Sequence, residues 1–181
     1  GVPAALFMAV TKTLIKGIAG QSVFPSHALE QVNQELCKDN DSSMFVTVCC
    51  GILNFKTGEL LFSNAGHNLP VLLSAGGEVG WLNSPEGFLL GIMEDASYEI
   101  LRLDLNPGDT LFLYTDGVTE AMNERKEFFS DAALLKTLAA CPGRDPEALV
   151  ECVFGAVKAF AGAEPQSDDI TVLALRYRGR A

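Results

Sequence analysis

The period of the apolar positions changes twice along the chain. Over 2–19, "VPAALFMAVTKTLIKGIA", Leu6, Val10 and Leu14 recur at spacing four among Ala4, Ala5 and Ala9. That spacing predicts a helix, with Phe7 and Met8 on its core face. Pro3 suits a first helical turn, where a missing N–H costs nothing, and Gly20 can end the helix. Ser26 is a candidate N-cap for a second helix over 27–38, whose Leu29, Val32, Leu36 and Cys37 form one stripe.

From residue 44 the pattern turns to strand. "MFVTVCCGILNF" (44–55) and "ELLFSNAG" (59–66) flank "KTGE", a hairpin turn with its glycine in place. "LPVLLSA" (69–75) and a short "EVGWL" follow, and 83–97 reads as a loop crossing a sheet edge. "SYEILRLDL" (97–105) alternates as a half-buried strand does, "NPGD" (106–109) is a turn, and "TLFLYT" (110–115) is a buried strand. Helical patterns return over 130–140 and 145–161, the latter opened by Asp145-Pro146. The last strand is "DITVLALRY" (169–177), reached through the short polar loop 162–167. The order α-α-β-β-β-β-β-α-α-β, with hairpin-linked strands and helices in separate runs, predicts an antiparallel α+β layered domain, not a doubly wound one.

Composition narrows the picture. At 181 residues and 48% hydrophobic, the chain fits one domain, 1–181, with a sizeable core. A net charge of −10 argues against nucleic acid as a partner; it serves solubility, or some of the acids form a cation site. No apolar run reaches the roughly 20 residues needed to span a bilayer. The five cysteines, Cys37, Cys49, Cys50, Cys141 and Cys152, form no CxxC pair and no zinc spacing. They read as reduced, mostly buried thiols of a cytoplasmic protein. The opening Gly1-Val2-Pro3, without Met or a basic leader, reads as an internal start.

The strand "TLFLYT" stops on Asp116 and Gly117; the last strand is preceded by Asp168 and Asp169. In an antiparallel pair the end of one strand lies beside the start of its neighbour, so Asp116 and Asp168 would meet on one rim. Gly117 would let the backbone turn away after the acid. Converging carboxylates repel unless a cation lies between them, and hard Mg²⁺ or Mn²⁺ suits oxygen donors. The plain alternative is that Asp-Gly is a common turn pair and Ser-Asp-Asp a common strand-entry loop. His67 in "NAGHNLP" reads as a turn residue, with Gly66 supplying backbone freedom and His67 or Asn68 the turn hydrogen bonds. His27 reads as exposed, Trp81 as packed in a β region, and Glu120 as a solvated helix position.

"YTDGVTEA" with "DDITVLAL" some fifty residues on resembles the SpoIIE/RsbU-type bacterial phosphatases, metal-dependent PPM-class enzymes acting on phosphoserine and phosphothreonine in proteins. "GVPAALFMA" (1–9), "FSNAGHNLPVLL" within 44–73, "GFLLGI" (87–92) and "PGDTLFLYTDGVTEAMN" extend the resemblance over nearly the whole chain. It implies an αββα sandwich of antiparallel sheets between helices, with two Mn²⁺ or Mg²⁺ ions at one edge and direct attack of a metal-bound water. Asp116 and Asp168 would be metal ligands and the catalytic acids; Gly117 and Asp169 would support them, Asp169 shaping the loop or holding a water. The implied substrate is a phosphorylated anti-sigma-factor antagonist, and the implied neighbour in the same chain is an upstream sensor or receiver domain. In the family a strand ending in a pattern like D-x-x-G-[KH] precedes "GVPAAL", and its aspartate bridges both metals. The chain as given begins after it. The expectation is therefore an N-terminally truncated domain, weak or inactive by itself, whose open sheet edge a homodimer or swapped element would cover. The competing expectation is a catalytically dead module that binds a partner protein.

Overall fold

In the computed structural model, residues 2–20, 22–38, 40–83 and 87–180 are described. Chain contacts divide them into two units, 1–67 with 83–104, and 68–82 with 105–181.

The first unit holds α1 (Val2–Ala19), α2 (Pro25–Cys37), β1 (Val48–Leu53), β2 (Glu59–Ala65) and β5 (Leu101–Asp104). Its sheet is antiparallel in the order β1-β2-β5. The β1–β2 hairpin turns through residues 54–58: Asn54 Oδ1 accepts from the Lys56 N–H at 3.0 Å, and Gly58 stands at φ 85°. Helix α2 packs on β1 and β2 through Leu29, Val32 and Leu36, which join Ala65, Leu90 and Tyr98 in one core. Helix α2 starts two residues before the expected position. Pro25 occupies its first turn, Phe24 is the cap residue, and Ser26 makes no cap but is buried. The proline sets the first φ, so the helix begins where the ring allows it.

Helix α1 has the expected limits but a different inner face. Phe7, Leu14, Ile15 and Ile18 pack toward the core and Thr11 is buried, while Leu6 (63%), Met8 (63%) and Val10 (52%) are exposed. This helix is apolar on nearly every side, so periodicity could not choose its buried face. Thr11 tolerates burial because its Oγ1 donates to the Phe7 carbonyl at 2.8 Å.

The second unit holds β3 (Val71–Leu73), β4 (Val79–Trp81), β6 (Thr110–Tyr114), α3 (Asp131–Ala140), α4 (Pro146–Ala161) and β7 (Val172–Arg176). Its antiparallel sheet runs β4-β3-β6-β7. Phe112, Val71, Leu73, Tyr114, Leu134, Leu138, Leu149 and Val153 form its core, with Trp81 packed against it. "EVGWL" is thus a strand, giving six strands before α3 instead of five, and β5 begins at Leu101 instead of 97. Tyr98 lies before β5 as a buried core residue, a position the alternation alone read as strand. The α+β class stands: two antiparallel sheets, each with a pair of helices in its own unit.

Buried Asp109 fastens the start of β6. Its Oδ1 accepts from the Ala75 N–H at 2.7 Å and its Oδ2 from the Asn106 N–H at 2.8 Å. The expected "NPGD" turn is present, closed by the Asp109 N–H on the Asn106 carbonyl.

One cysteine expectation is overturned. Cys141 and Cys152 form a disulfide across the α3–α4 connection, with Cα atoms 6.2 Å apart. Spacing did not reveal it, because the two residues meet only when α4 folds back against α3. Among the described residues, Cys37, Cys49 and Cys50 form no disulfide. Burial, reinforced by the adjacent Cys50, pushes the Cys49 thiol up to about 12, and burial also raises Cys50.

Among the described residues, no helix is long and apolar enough to cross a membrane.

Candidate active site

The acids of the two motifs lie at the end where β6 leaves the sheet and β7 enters it. The strands pair antiparallel with Tyr114 opposite Val172. Pairing continues one step further: the Thr115 N–H donates to the Thr171 carbonyl at 3.0 Å. Asp116 follows immediately on one side, and Asp168 and Asp169 stand just before on the other, all three exposed. The strand pairing expected from the two motifs is therefore present, and it brings the three acidic residues to one rim.

Gly117 is needed here, for a reason the sequence reading did not give. Its φ is not in the left-handed region. Instead, a Cβ at this position would stand 2.5 Å from the Asp169 carbonyl oxygen and 3.3 Å from that of Asp168. Both contacts are backbone, which cannot swing aside. Only glycine lets the 116–117 corner approach the 168–169 loop this closely.

Side chains lock the corner. Thr115 Oγ1 donates to the Asp169 carbonyl at 3.0 Å and accepts from the Thr171 N–H at 3.0 Å. The Val118 N–H returns to the Thr115 carbonyl and the Glu120 N–H to the Asp116 carbonyl, so 116–120 is a turn and Glu120 an exposed turn residue, not a helical one. Thr119 Oγ1, in a buried residue, reaches the Asp116 carbonyl at 3.4 Å. On the other side, Asp168 Oδ1 accepts from the Asp169 N–H at 2.7 Å, and Gln166 Nε2 donates to the Asp168 carbonyl at 2.7 Å. Sequence reasoning missed Thr115. The signal was present as a hydroxyl between a buried strand and a DG turn, but its bonds are all to a segment more than fifty residues away.

His67 Nδ1 lies 3.0 Å from Thr47 Oγ1. Asn64 also bonds across this turn: its Oδ1 accepts the His67 N–H at 2.9 Å and its Nδ2 donates to the His67 carbonyl at 2.8 Å. Gly66 does stand in the left-handed region, at φ 71°. His27 is exposed, and Trp81 lies 6.1 Å from the Tyr114 ring.

The sequence profile of the family described as Stage II sporulation protein E (SpoIIE) matches residues 1–178. The chain belongs to the SpoIIE family. Phosphoserine phosphatase RsbU of Bacillus subtilis is 26% identical, over 98% of this chain and 52% of its own length. Among solved structures, the SiaA-PP2C domain of Pseudomonas aeruginosa superposes with TM-score 0.81 at 24% identity, over 98% of this chain and 71% of that one. The RsbU and RsbW domains of Rv1364c from Mycobacterium tuberculosis give 0.80 at 24%, over 100% and 49%. The fold of this SpoIIE-family domain is thus that of PP2C, or PPM-type, phosphatase domains. Related structures include a B. subtilis SpoIIE phosphatase domain presoaked with manganese and RsbX in complex with magnesium. The chain spans 32% and 52% of the length of the two curated relatives it matches first.

The donor set at the rim fits such ions. Asp116 and Asp168 offer hard carboxylate oxygens, and Mg²⁺ is commonly held by one or two carboxylates while keeping several waters. Among the described residues, no three His, Cys, Asp or Glu side chains cluster as an all-protein shell would.

Proposed function

We propose that this SpoIIE-family domain is the catalytic part of a metal-dependent protein serine/threonine phosphatase in bacterial signalling, removing phosphate from phosphoserine in a small anti-sigma-factor antagonist. The observation that carries the reading is the close approach of the 116–117 corner to the 168–169 backbone at the β6–β7 rim. Family membership and the likeness to RsbU support it. A bound Mn²⁺ or Mg²⁺ supplies Lewis acidity, water activation and neutralisation of phosphoryl charge.

The residues of this chain hold and orient. Asp116 and Asp168 present the carboxylates; the Asp169 N–H on Asp168 Oδ1 fixes that side chain and leaves Oδ2 for a cation. Gly117 and Thr115 keep the two backbone segments at their close spacing. Asp169 acts as a support of the loop through its backbone. The sensor or receiver domain, and a homodimer partner, belong to the whole protein. We place that protein in the cytoplasm, where such antagonists act; the Cys141–Cys152 bond argues the other way, since disulfides are rare in reducing compartments.

The test is hydrolysis of p-nitrophenyl phosphate and of a phosphoserine protein by the whole protein, with and without Mn²⁺ or Mg²⁺. Activity that needs the ion and disappears in Asp116→Ala and Asp168→Ala supports the proposal; activity indifferent to both overturns the assigned roles. A second reading, a partner-binding module without catalysis, draws on the lack of a three-acid cluster among the described residues. It predicts binding of the antagonist with no metal-dependent turnover.

A further inference from the structure

Beside the rim, on the α4 side, lies a cavity of about 430 Å³ that Asp116, Asp168 and Asp169 do not line. Its walls come from the 117–122 turn, α4 and the 162–170 loop. Ala121, Val157 and Ile170 give it apolar walls, with Phe154, 42% exposed, among its lining; Lys158, Glu164 and Gln166 add polar groups. Gly117 and Ser167 also line it, and these are the chain neighbours of Asp116 and Asp168. The cavity and the acid rim therefore share two backbone corners.

Gly155 gives the cavity its character. It sits in the interior of α4, where glycine costs about 1 kcal/mol against alanine. A Cβ there would meet no atom within 4 Å, so packing does not demand glycine, and its φ is not in the left-handed region. What the missing side chain does is leave the cavity open. A volume of this size lies in the range of ligand pockets and takes one large apolar side chain with room to spare.

We propose that this cavity is the docking pocket for an apolar side chain of the phosphoprotein substrate, a few residues from its phosphoserine. The inference rests on the phosphatase reading above and adds the substrate's second anchor. Position argues for this occupant, because Gly117 and Ser167, the chain neighbours of Asp116 and Asp168, line the cavity, so it adjoins the rim that the phosphoserine would reach. Charge argues for an apolar anchor. The chain carries a net charge of −10, so it does not draw an anionic phosphoprotein by long-range attraction. Burial of a Leu-sized side chain supplies roughly 1.5–3 kcal/mol without any charge.

The experiment uses phosphoserine peptides of equal charge, all alanine apart from the phosphoserine or with one leucine moved through the positions on either side. The whole protein is assayed in wild-type form and as Gly155→Leu, a change that meets no atom at its Cβ and improves helix propensity, with a melting curve to check that the variant folds. In the wild type, leucine at one register should lower KM by about tenfold or more, and in Gly155→Leu that preference should vanish. A flat leucine scan in the wild type, or an undiminished preference in the variant, overturns the pocket. The same peptides with serine in place of phosphoserine, titrated by fluorescence anisotropy, read docking without turnover. If p-nitrophenyl phosphate is not hydrolysed at all, the phosphatase reading fails on its own. Leucine-dependent binding lost in Gly155→Leu would then still support the pocket, and leucine-independent binding would overturn it.

Discussion

Asp116, Gly117 and Asp168 form a set whose members are separable by what each substitution removes. Asp116→Ala takes away a hard oxygen donor from an exposed rim and leaves the core untouched. Metal-dependent turnover should fall by about two to three orders of magnitude, with the thermal midpoint little changed; circular dichroism melts beside the assay check both halves. Gly117→Ala acts differently. Its methyl would stand 2.5 Å from the Asp169 carbonyl oxygen, so the two segments must separate. The expected outcome is a loss of metal affinity at near-normal secondary structure, measured by Mn²⁺ titration calorimetry. The acids and the glycine were legible from the sequence as two motifs. The steric role of Gly117 was not, because the atoms it would strike belong to a loop some fifty residues on. Cys49 is a further residue-scale case: the sequence reads it among mostly buried thiols, and burial pushes its thiol up to about 12. Alkylation by iodoacetamide at pH 8 should leave Cys49 unmodified in the native protein and label it in urea.

Among the elements, the β6–β7 pair is the one that organises the site. Its register sets which residues meet, and the two bonds of Thr115 Oγ1 extend the pairing past the last strand residue. Thr115→Val keeps the shape and removes both bonds. A loss of about 0.5–1.5 kcal/mol in stability is expected from the lost bonds, because water can reach the exposed Thr171 N–H, and the metal affinity should weaken with it; urea unfolding and the Mn²⁺ titration read the two effects separately. Helix limits were visible where a local signal fixed them, as with Pro146 at the start of α4; the Ser130 cap of α3, whose side chain accepts from the Ala133 N–H, was not singled out. They were misread where signals competed, as when Pro25 took the start of α2 from Ser26. The inner face of α1 was not legible, because a helix apolar on nearly every side carries no phase in its sequence.

At the scale of the molecule, two features condition stability. The Cys141–Cys152 bond closes a short loop, with a sequence separation of 11, between α3 and α4. Its reduction should lower unfolding free energy by roughly 2–3 kcal/mol, seen as a lower melting temperature in dithiothreitol and absent in Cys152→Ser. The second feature is alkaline sensitivity. Cys49 and Tyr98 both keep their protons to about 12 in the folded chain, through burial above all. The unfolded chain releases them from about 9 upward for the thiol and about 10 for the phenol. Their contribution is thus complete below pH 9 and declines as pH rises toward 12, by up to about 1.4 kcal/mol per unit for each group. Chemical denaturation between pH 8 and pH 11 measures that slope.

The sequence by itself determined the α+β class, the β6 and β7 strands and the acids that bracket them, because period, turn chemistry and motif order are local properties of a chain. It also carried the family, since "YTDGVTEA" and "DDITVLAL" stand in the family's order. Tertiary structure alone decided the rest: which side of α1 is buried, that two cysteines meet, that Gly117 answers to the Asp169 carbonyl, and that a cavity opens beside Gly155. Each of these depends on atoms brought together from distant positions by packing, and a contact between such positions leaves no period in the sequence for either partner to show.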